Sequence, residues 1–131
     1  MSTKQKILLI EDDKMLLEMY TAKFTREGFE IATAENGSDG LKVARDMKPD
    51  MILLDIIMPK LDGFATLKEI RKDENIKNVP VILLTNLGQD QDIQKGKDLG
   101  ADDYFVKANH TPTEIVEKVQ ELLKKKGNIQ Q

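Results

Sequence analysis

At 131 residues and 40% hydrophobic content, the chain is sized for one domain with a true core and is short for two. It contains no cysteine, which excludes a disulfide framework and a thiolate metal site, and its formal net charge of −3 argues against a direct nucleic-acid surface. The early apolar run Ile7–Ile10 is too short for a signal-peptide core or a membrane-inserted helix, so a soluble, cytoplasmic domain is expected. Aromatic residues make up 5% and Trp is absent, leaving little from which to build a stacking platform for bases or a flavin ring.

The run Ile7-Leu8-Leu9-Ile10, closed by Glu11-Asp12-Asp13, reads as a central strand with acids at its carboxyl end. Leu16, Met19, Tyr20 and Phe24 follow at helical spacing behind Asp13, a natural N-cap. After Gly28, the larger apolar groups of Phe29–Ala34 alternate, which predicts a half-exposed edge strand. Asn36-Gly37-Ser38-Asp39-Gly40 opens a second helix with Leu41, Ala44 and Met47 in register and Pro49 at its end. Gly37 and Gly40 lack the third glycine and the spacing of a dinucleotide fingerprint.

Met51-Ile52-Leu53-Leu54 reads as a strand buried on both faces that runs into Asp55, with Pro59 and Gly63 breaking the backbone beyond it. Phe64, Leu67 and Ile70 mark a third helix, and Val79–Leu84 a fourth strand with Pro80 near its start and Thr85 at its end. From Gln89 to Gly100 the chain has helical length, but its only large apolar residues are Ile93 and Leu99, and Gly96 lies inside it. This helix is expected to be the least firmly held. Asp103–Val106 is a short last strand, followed at once by Lys107. Thr111, Pro112 and Glu114 supply an N-cap, a first-turn proline and a capping-box acid for a final helix carrying Ile115, Val116, Val119, Leu122 and Leu123. Lys124-Lys125-Lys126, with Gly127 just past them, reads as its cationic last turn.

Five strands alternating with five helices imply an α/β fold, a doubly wound parallel sheet with helices on both faces. The alternating second strand belongs at an edge and the unbroken apolar runs inside. That gives the flavodoxin-like order 2-1-3-4-5 in a single domain with its core at about residues 6–125. All carboxyl ends share one rim, so Glu11, Asp12, Asp55, Thr85 and Lys107 converge there. Taken singly, each has a plainer reading as a cap, a loop acid or a surface charge; together, from four strand ends, they do not. Crowded carboxylates call for a cation, an oxygen-only set suits Mg²⁺, and Lys107 and Thr85 offer a charge and a hydroxyl donor to a phosphoryl anion. Asp55, central on the rim, can then accept a phosphoryl group as an acyl phosphate.

The segments Ile10-Glu11-Asp12, Leu54-Asp55, Met58-Pro59, Asp62-Gly63, Leu84-Thr85 and Tyr104-Phe105-Val106-Lys107 carry a resemblance. Thr85 lies 30 positions after Asp55, and Lys107 lies 22 after Thr85. In these features the chain strongly resembles the receiver domain of bacterial two-component response regulators, specifically a stand-alone, chemotaxis-regulator-like one with no output domain. The resemblance implies that Asp55 takes its phosphoryl group from a phosphohistidine of a sensor histidine kinase or a histidine phosphotransfer protein. It implies Mg²⁺ held by Asp12, Asp55 and the main-chain carbonyl of Ile57, with Glu11 helping through water. Lys107 would pair with the phosphoryl oxygens and Thr85 would hydrogen-bond one of them, while the aromatic side chain of Tyr104 turns inward into the space Thr85 vacates. The face formed by the fourth helix, fifth strand and fifth helix would be remodelled for a protein partner or relay. The protein would be a monomer or a phosphorylation-dependent dimer, and no enzyme beyond its own phosphorylation and slow dephosphorylation.

Two departures from the family pattern carry expectations of their own. Ala108 follows Lys107 where the family usually has Pro, which predicts a trans bond and a different loop from Ala108 to His110, with His110 exposed. Ile57 and Leu87, two residues after Asp55 and Thr85, are apolar where polar side chains can orient an attacking water, so the phosphorylated state is expected to be long-lived. Ile57 also stands where a Mg²⁺-dependent aspartyl-phosphate phosphohydrolase, the alternative enzyme reading, wants a second carboxylate. A flavin binder is disfavoured by the charged rim, and a degenerate scaffold by the complete set of five residues.

Overall fold

Three unbroken apolar strands, with no face left for water, set the architecture. The computed structural model describes residues 4–59 and 61–125. Lys126, Gly127 and the polar residues after them, where the sequence predicts the end of the last helix, lie outside the described residues. The elements are β1 (Lys6–Ile10), α1 (Lys14–Arg26), β2 (Glu30–Ala34), α2 (Gly37–Met47), β3 (Met51–Leu54), α3 (Gly63–Lys72), β4 (Val81–Thr85), α4 (Asp90–Asp98), β5 (Asp103–Val106) and α5 (Pro112–Lys125). The strands pair in parallel in the order β2-β1-β3-β4-β5, as the doubly wound, flavodoxin-like reading predicts. No helix among the described residues is long and apolar enough to cross a membrane.

Alternation along the strands divides the core in two. Ile7, Leu9, Met51, Leu53, Ile82, Leu84 and Phe105 pack with Leu17, Tyr20 and Phe24 of α1 and with Ile115, Val116 and Val119 of α5. Leu8, Ile10, Ile52, Leu54, Val81, Leu83 and Tyr104 pack with Leu41 and Ala44 of α2 and Leu67 and Ile70 of α3. Each large side chain fully withdrawn from water contributes about 1.5–3 kcal/mol, so the strand ends that carry the polar rim are firmly placed. The edge strand β2 exposes Glu30 and Thr33.

The predicted caps form. Asp13 Oδ1 accepts from the amides of Met15 (2.9 Å) and Leu16 (3.2 Å). Asn36 Oδ1 accepts from Asp39 (2.9 Å), and Thr111 and Glu114 cap each other at 2.8 and 3.1 Å. Among the described residues, α4 alone combines an N-terminus without a side-chain cap with a single buried residue, Gly96, which matches the sparse anchoring expected of it.

Details differ from the sequence reading. Leu17 takes the buried position on α1, whereas Leu16 and Met19 are half-buried, because the inward stripe follows Leu17, Tyr20 and Phe24. Strand β4 starts at Val81: the Val79 amide closes a turn onto Ile76 O at 3.1 Å, and Pro80 joins the ladder only through its carbonyl, which accepts from Ile52 at 2.9 Å. After β5, Lys107–Asn109 forms a 3-10 turn, and all peptide bonds among the described residues are trans, as Ala108 predicts. His110 is half-buried rather than exposed, since its ring rests edge-on against Phe105 with 5.4 Å between centroids. Unforeseen is Arg71, whose guanidinium donates to the carbonyls of Gly100 (2.7 Å), Lys77 (3.1 Å) and Val79 (2.7 Å) and to Asp102 Oδ2 (3.1 Å). This clamp ties α3 to the amino ends of β4 and β5, opposite the polar rim.

Candidate functional site

The carboxyl ends of β1, β3, β4 and β5 bring Glu11, Asp12, Asp55, Ile57, Thr85 and Lys107 into one open cleft. Glu11 leaves β1 at the point where its amide still pairs with Ala34 O (3.0 Å), and Asp55 leaves β3 with its amide on Ile10 O (3.0 Å). Both carboxylates are therefore fixed by the sheet itself. One ligand oxygen from each of Glu11, Asp12 and Asp55 falls within a group whose members all lie within 4.8 Å of one another.

Lys107 spans the cluster from β5. Its Nζ donates to Glu11 Oε1 at 2.6 Å and to Asp55 Oδ2 at 3.1 Å, across 96 and 52 positions of sequence. Asp55 Oδ1 is held separately by the Ile56 amide at 2.7 Å, and Glu11 Oε2 by the Asp13 amide at 3.0 Å. Burial lifts Glu11 above its ordinary carboxylate value; the Lys107 hydrogen bond pulls the other way, and the Asp55 charge adds to the rise. Burial also works against the Lys107 ammonium, but the hydrogen bond to Glu11 and the charges of Asp55 and Glu11 outweigh it, and the lysine pKa lies above its ordinary value. One ammonium among three carboxylates leaves the cleft short of positive charge. An oxygen-only donor set with this deficit fits a small hard divalent cation.

Thr85 is fully buried at the end of β4, and its Oγ1 accepts a long bond, 3.4 Å, from the Leu87 amide. Tyr104 lies behind the cleft rather than in it. Its ring points inward and its hydroxyl donates to Leu87 O at 2.6 Å; burial, and after it the charges of Asp92 and Asp55, push the phenol up to about 12. Ile57 is 59% exposed on the cleft wall. The sequence reading passed over Asp13, Leu16 and Asn86 as lining residues. Their signal was adjacency: Asn86 sits one position past the end of β4, and Asp13 and Leu16 sit three and six past the end of β1.

The family model "Response regulator receiver domain" matches residues 7–120. The "Probable transcriptional regulator ycf27" of Pyropia yezoensis is 37% identical over 126 residues, covering 96% of this chain and 50% of that protein. The chain spans about half the length of ycf27 and of the other full-length transcriptional regulators it matches. Among solved structures, chemotaxis protein CheY4 of Vibrio cholerae superposes with a TM-score of 0.85 at 28% identity, covering 91% of this chain and 98% of that one. The receiver domain of sensor histidine kinase PA1611 from Pseudomonas aeruginosa, described with a magnesium ion coordinated in its active site cleft, gives a TM-score of 0.80 at 28% identity. It covers 94% of this chain and 97% of that one.

Proposed function

The chain belongs to the response regulator receiver family of two-component signalling, and from that membership we propose that Asp55 accepts a phosphoryl group from a phosphohistidine on a sensor kinase or phosphotransfer protein. The observation that carries this reading is the Lys107 ammonium bridging Glu11 and Asp55 from the turn that follows β5. It supplies a fixed positive charge beside the carboxylate that must approach an anionic donor. In the transfer, an Asp55 oxygen forms a bond to phosphorus as the P–N bond breaks, and the imidazole nitrogen keeps the electron pair and takes up a proton. The chain's part is positioning and charge neutralisation. Ile56 N–H orients the Asp55 carboxylate, Lys107 meets the phosphoryl oxygens, and Thr85 donates its hydroxyl to one of them. Glu11, Asp12, Asp55 and the main-chain carbonyl of Ile57 would hold Mg²⁺, which when bound neutralises the carboxylates and the incoming phosphoryl charge. The α4-β5-α5 face then carries the change to a partner, or the phosphoryl group passes along a relay. Phosphoramidate, a small P–N donor, tests the reading: it should label Asp55 with a hydroxylamine-labile acyl phosphate, whereas labelling of a histidine or serine instead would contradict it.

Two results are expected of the parent chain. Mg²⁺ should raise its melting temperature, because a ligand at a hundred times its Kd stabilises by about 2.7 kcal/mol, of the order of 10 °C for a domain of this size. Asp12→Asn should abolish most of that shift, and a melting curve indifferent to millimolar Mg²⁺ would remove the cation site. The phosphorylated chain should also be long-lived, since apolar Ile57 on the cleft wall and half-buried Leu87 offer no polar group to orient an attacking water. Ile57→Asn, which can orient a water but not take its proton, should shorten the lifetime by less than the roughly hundredfold effect of a general base, read as phosphate release under saturating Mg²⁺. A parent half-life of only seconds would overturn this account of the two positions.

A further inference from the structure

Glycine inside a helix costs about 1 kcal/mol against alanine. In α4, a helix already short of apolar anchors, Gly96 is the one buried residue. Its place explains the glycine. A Cβ built there would lie 2.6 Å from Leu83 Cδ1 and 3.1 and 3.4 Å from Cδ2 and Cε2 of Tyr104. Leu83 and Tyr104 are partners in the β4-β5 ladder, so the α4 backbone crosses directly above this cross-strand pair. Leu83 is fully buried and Tyr104 is 9% exposed, so a retreat of either side chain is into packed core rather than into solvent. From the Tyr104 ring the contacts continue toward the cleft: its hydroxyl to Leu87 O at 2.6 Å, then Leu87 N–H to Thr85 Oγ1 at 3.4 Å.

We propose that Gly96 is a positioning residue: the bare helix backbone it provides seats the Tyr104 ring inward, and through Leu87 that ring holds Thr85 in place at the phosphoryl site. This rests on the receiver reading and deepens it. It places the control of Thr85 in a residue of α4 that touches neither the cleft nor a phosphoryl group. The seat is tight for a single methyl group, which meets the end of the Leu83 side chain first and the edge of the Tyr104 ring next, so that Leu83, the ring or α4 has to give and the Tyr104–Leu87 hydrogen bond is strained.

Gly96→Ala tests this in the full chain with three readouts. Tyr104 is followed by its phenolate absorbance as pH rises, the Tyr104→Phe variant identifying which of the two tyrosines is seen. Phosphorylation is followed with a small acyl phosphate and Mg²⁺, and folding by circular dichroism. The inference expects Tyr104 to titrate closer to the ordinary tyrosine value and phosphorylation to slow by about fivefold, the equivalent of one net hydrogen bond. Adding Leu83→Val, which removes the nearest methyl, should restore part of both. If Gly96 matters only through helix propensity, Gly96→Ala will melt higher with Tyr104 titration and rate unchanged, and the inference fails. If Gly96→Ala does not fold, the double variant decides: it must fold and show parent-like Tyr104 titration, and failure of either overturns the inference. Absence of labelling at Asp55 in the parent would instead defeat the receiver reading, whatever Gly96 does.

Discussion

Lys107→Ala lowers the rate of Asp55 phosphorylation by about two to three orders of magnitude, the cost of removing one preorganised charge from a site where negative charge gathers. Lys107 Nζ lies 2.6 Å from Glu11 and 3.1 Å from Asp55, and the side chains are 14%, 4% and 9% exposed respectively. Breaking a buried pair costs about 3–5 kcal/mol; the open cleft admits water, which puts the stability loss near the lower end. Saturating Mg²⁺ should restore much of the melting temperature, because a divalent cation replaces the lost charge, yet leave the rate low, because it cannot stand where Lys107 reaches from β5. Lys107→Arg should not rescue the rate, since a planar fork does not reproduce a point ammonium donating to two separate acids. The pH dependence has a defined sign. Glu11 is already held above its ordinary value of 4.5, so its contribution to stability is full below that pH and is lost as pH rises through the folded value. Without Lys107 that value moves further up, and the variant should match the parent best in acid. A Lys107→Ala chain phosphorylated at the parent rate would contradict the charge-neutralising role.

Gly63→Ala should be nearly as damaging by a different route. A Cβ at Gly63 would meet the main-chain oxygen of Asp55 and lie 2.6 Å from Ile56 Cα and 2.9 Å from the Asp55 carbonyl carbon. These are backbone atoms and cannot rotate aside. The Gly63 amide also donates to Ile56 O at 2.8 Å, so α3 is pinned to the segment that carries the acceptor. Either α3 withdraws or Asp55 moves. Overpacking of this kind costs about 1–3 kcal/mol, and a displacement of about 1 Å at a reacting group costs about a hundredfold in rate. Gly28→Ala is the control: its φ of +93° makes alanine strained, but nothing lies within 4 Å. It should lose stability and leave the phosphorylation rate alone. Equal rate losses in the two variants would mean that Gly63 has no particular tie to Asp55.

The parts of the fold written in short-range pattern were legible. Runs such as Ile7–Ile10 and Met51–Leu54 mark interior strands because a strand covered on both faces needs no polar residue, and Asp13, Asn36 and Thr111 mark helix starts because their oxygens satisfy amides two or three residues on. The rim was legible because parallel strands must end together. What escaped the sequence depends on contacts with no local signature. Arg71 reaches Gly100 and Asp102, 29 and 31 positions away, and nothing beside it in sequence announces those partners. The inward Tyr104 is held by a carbonyl 17 positions earlier, and Gly96 reads as a weakness of its helix until Leu83 and Tyr104 are seen beneath it. The half-buried place of His110 has no signature either, because no periodicity shows that a 3-10 turn folds it back onto Phe105.

Asp55 as a phosphoryl acceptor whose chemistry needs a divalent cation has one decisive test. Intact mass after incubation with acetyl phosphate tests it most directly, with Mg²⁺ or with a chelator, on the parent chain and on Asp55→Asn. A single phosphoryl adduct is expected on the parent with Mg²⁺, little with chelator and none on Asp55→Asn. No Mg²⁺-dependent adduct on the parent, or an adduct that survives Asp55→Asn, would contradict it.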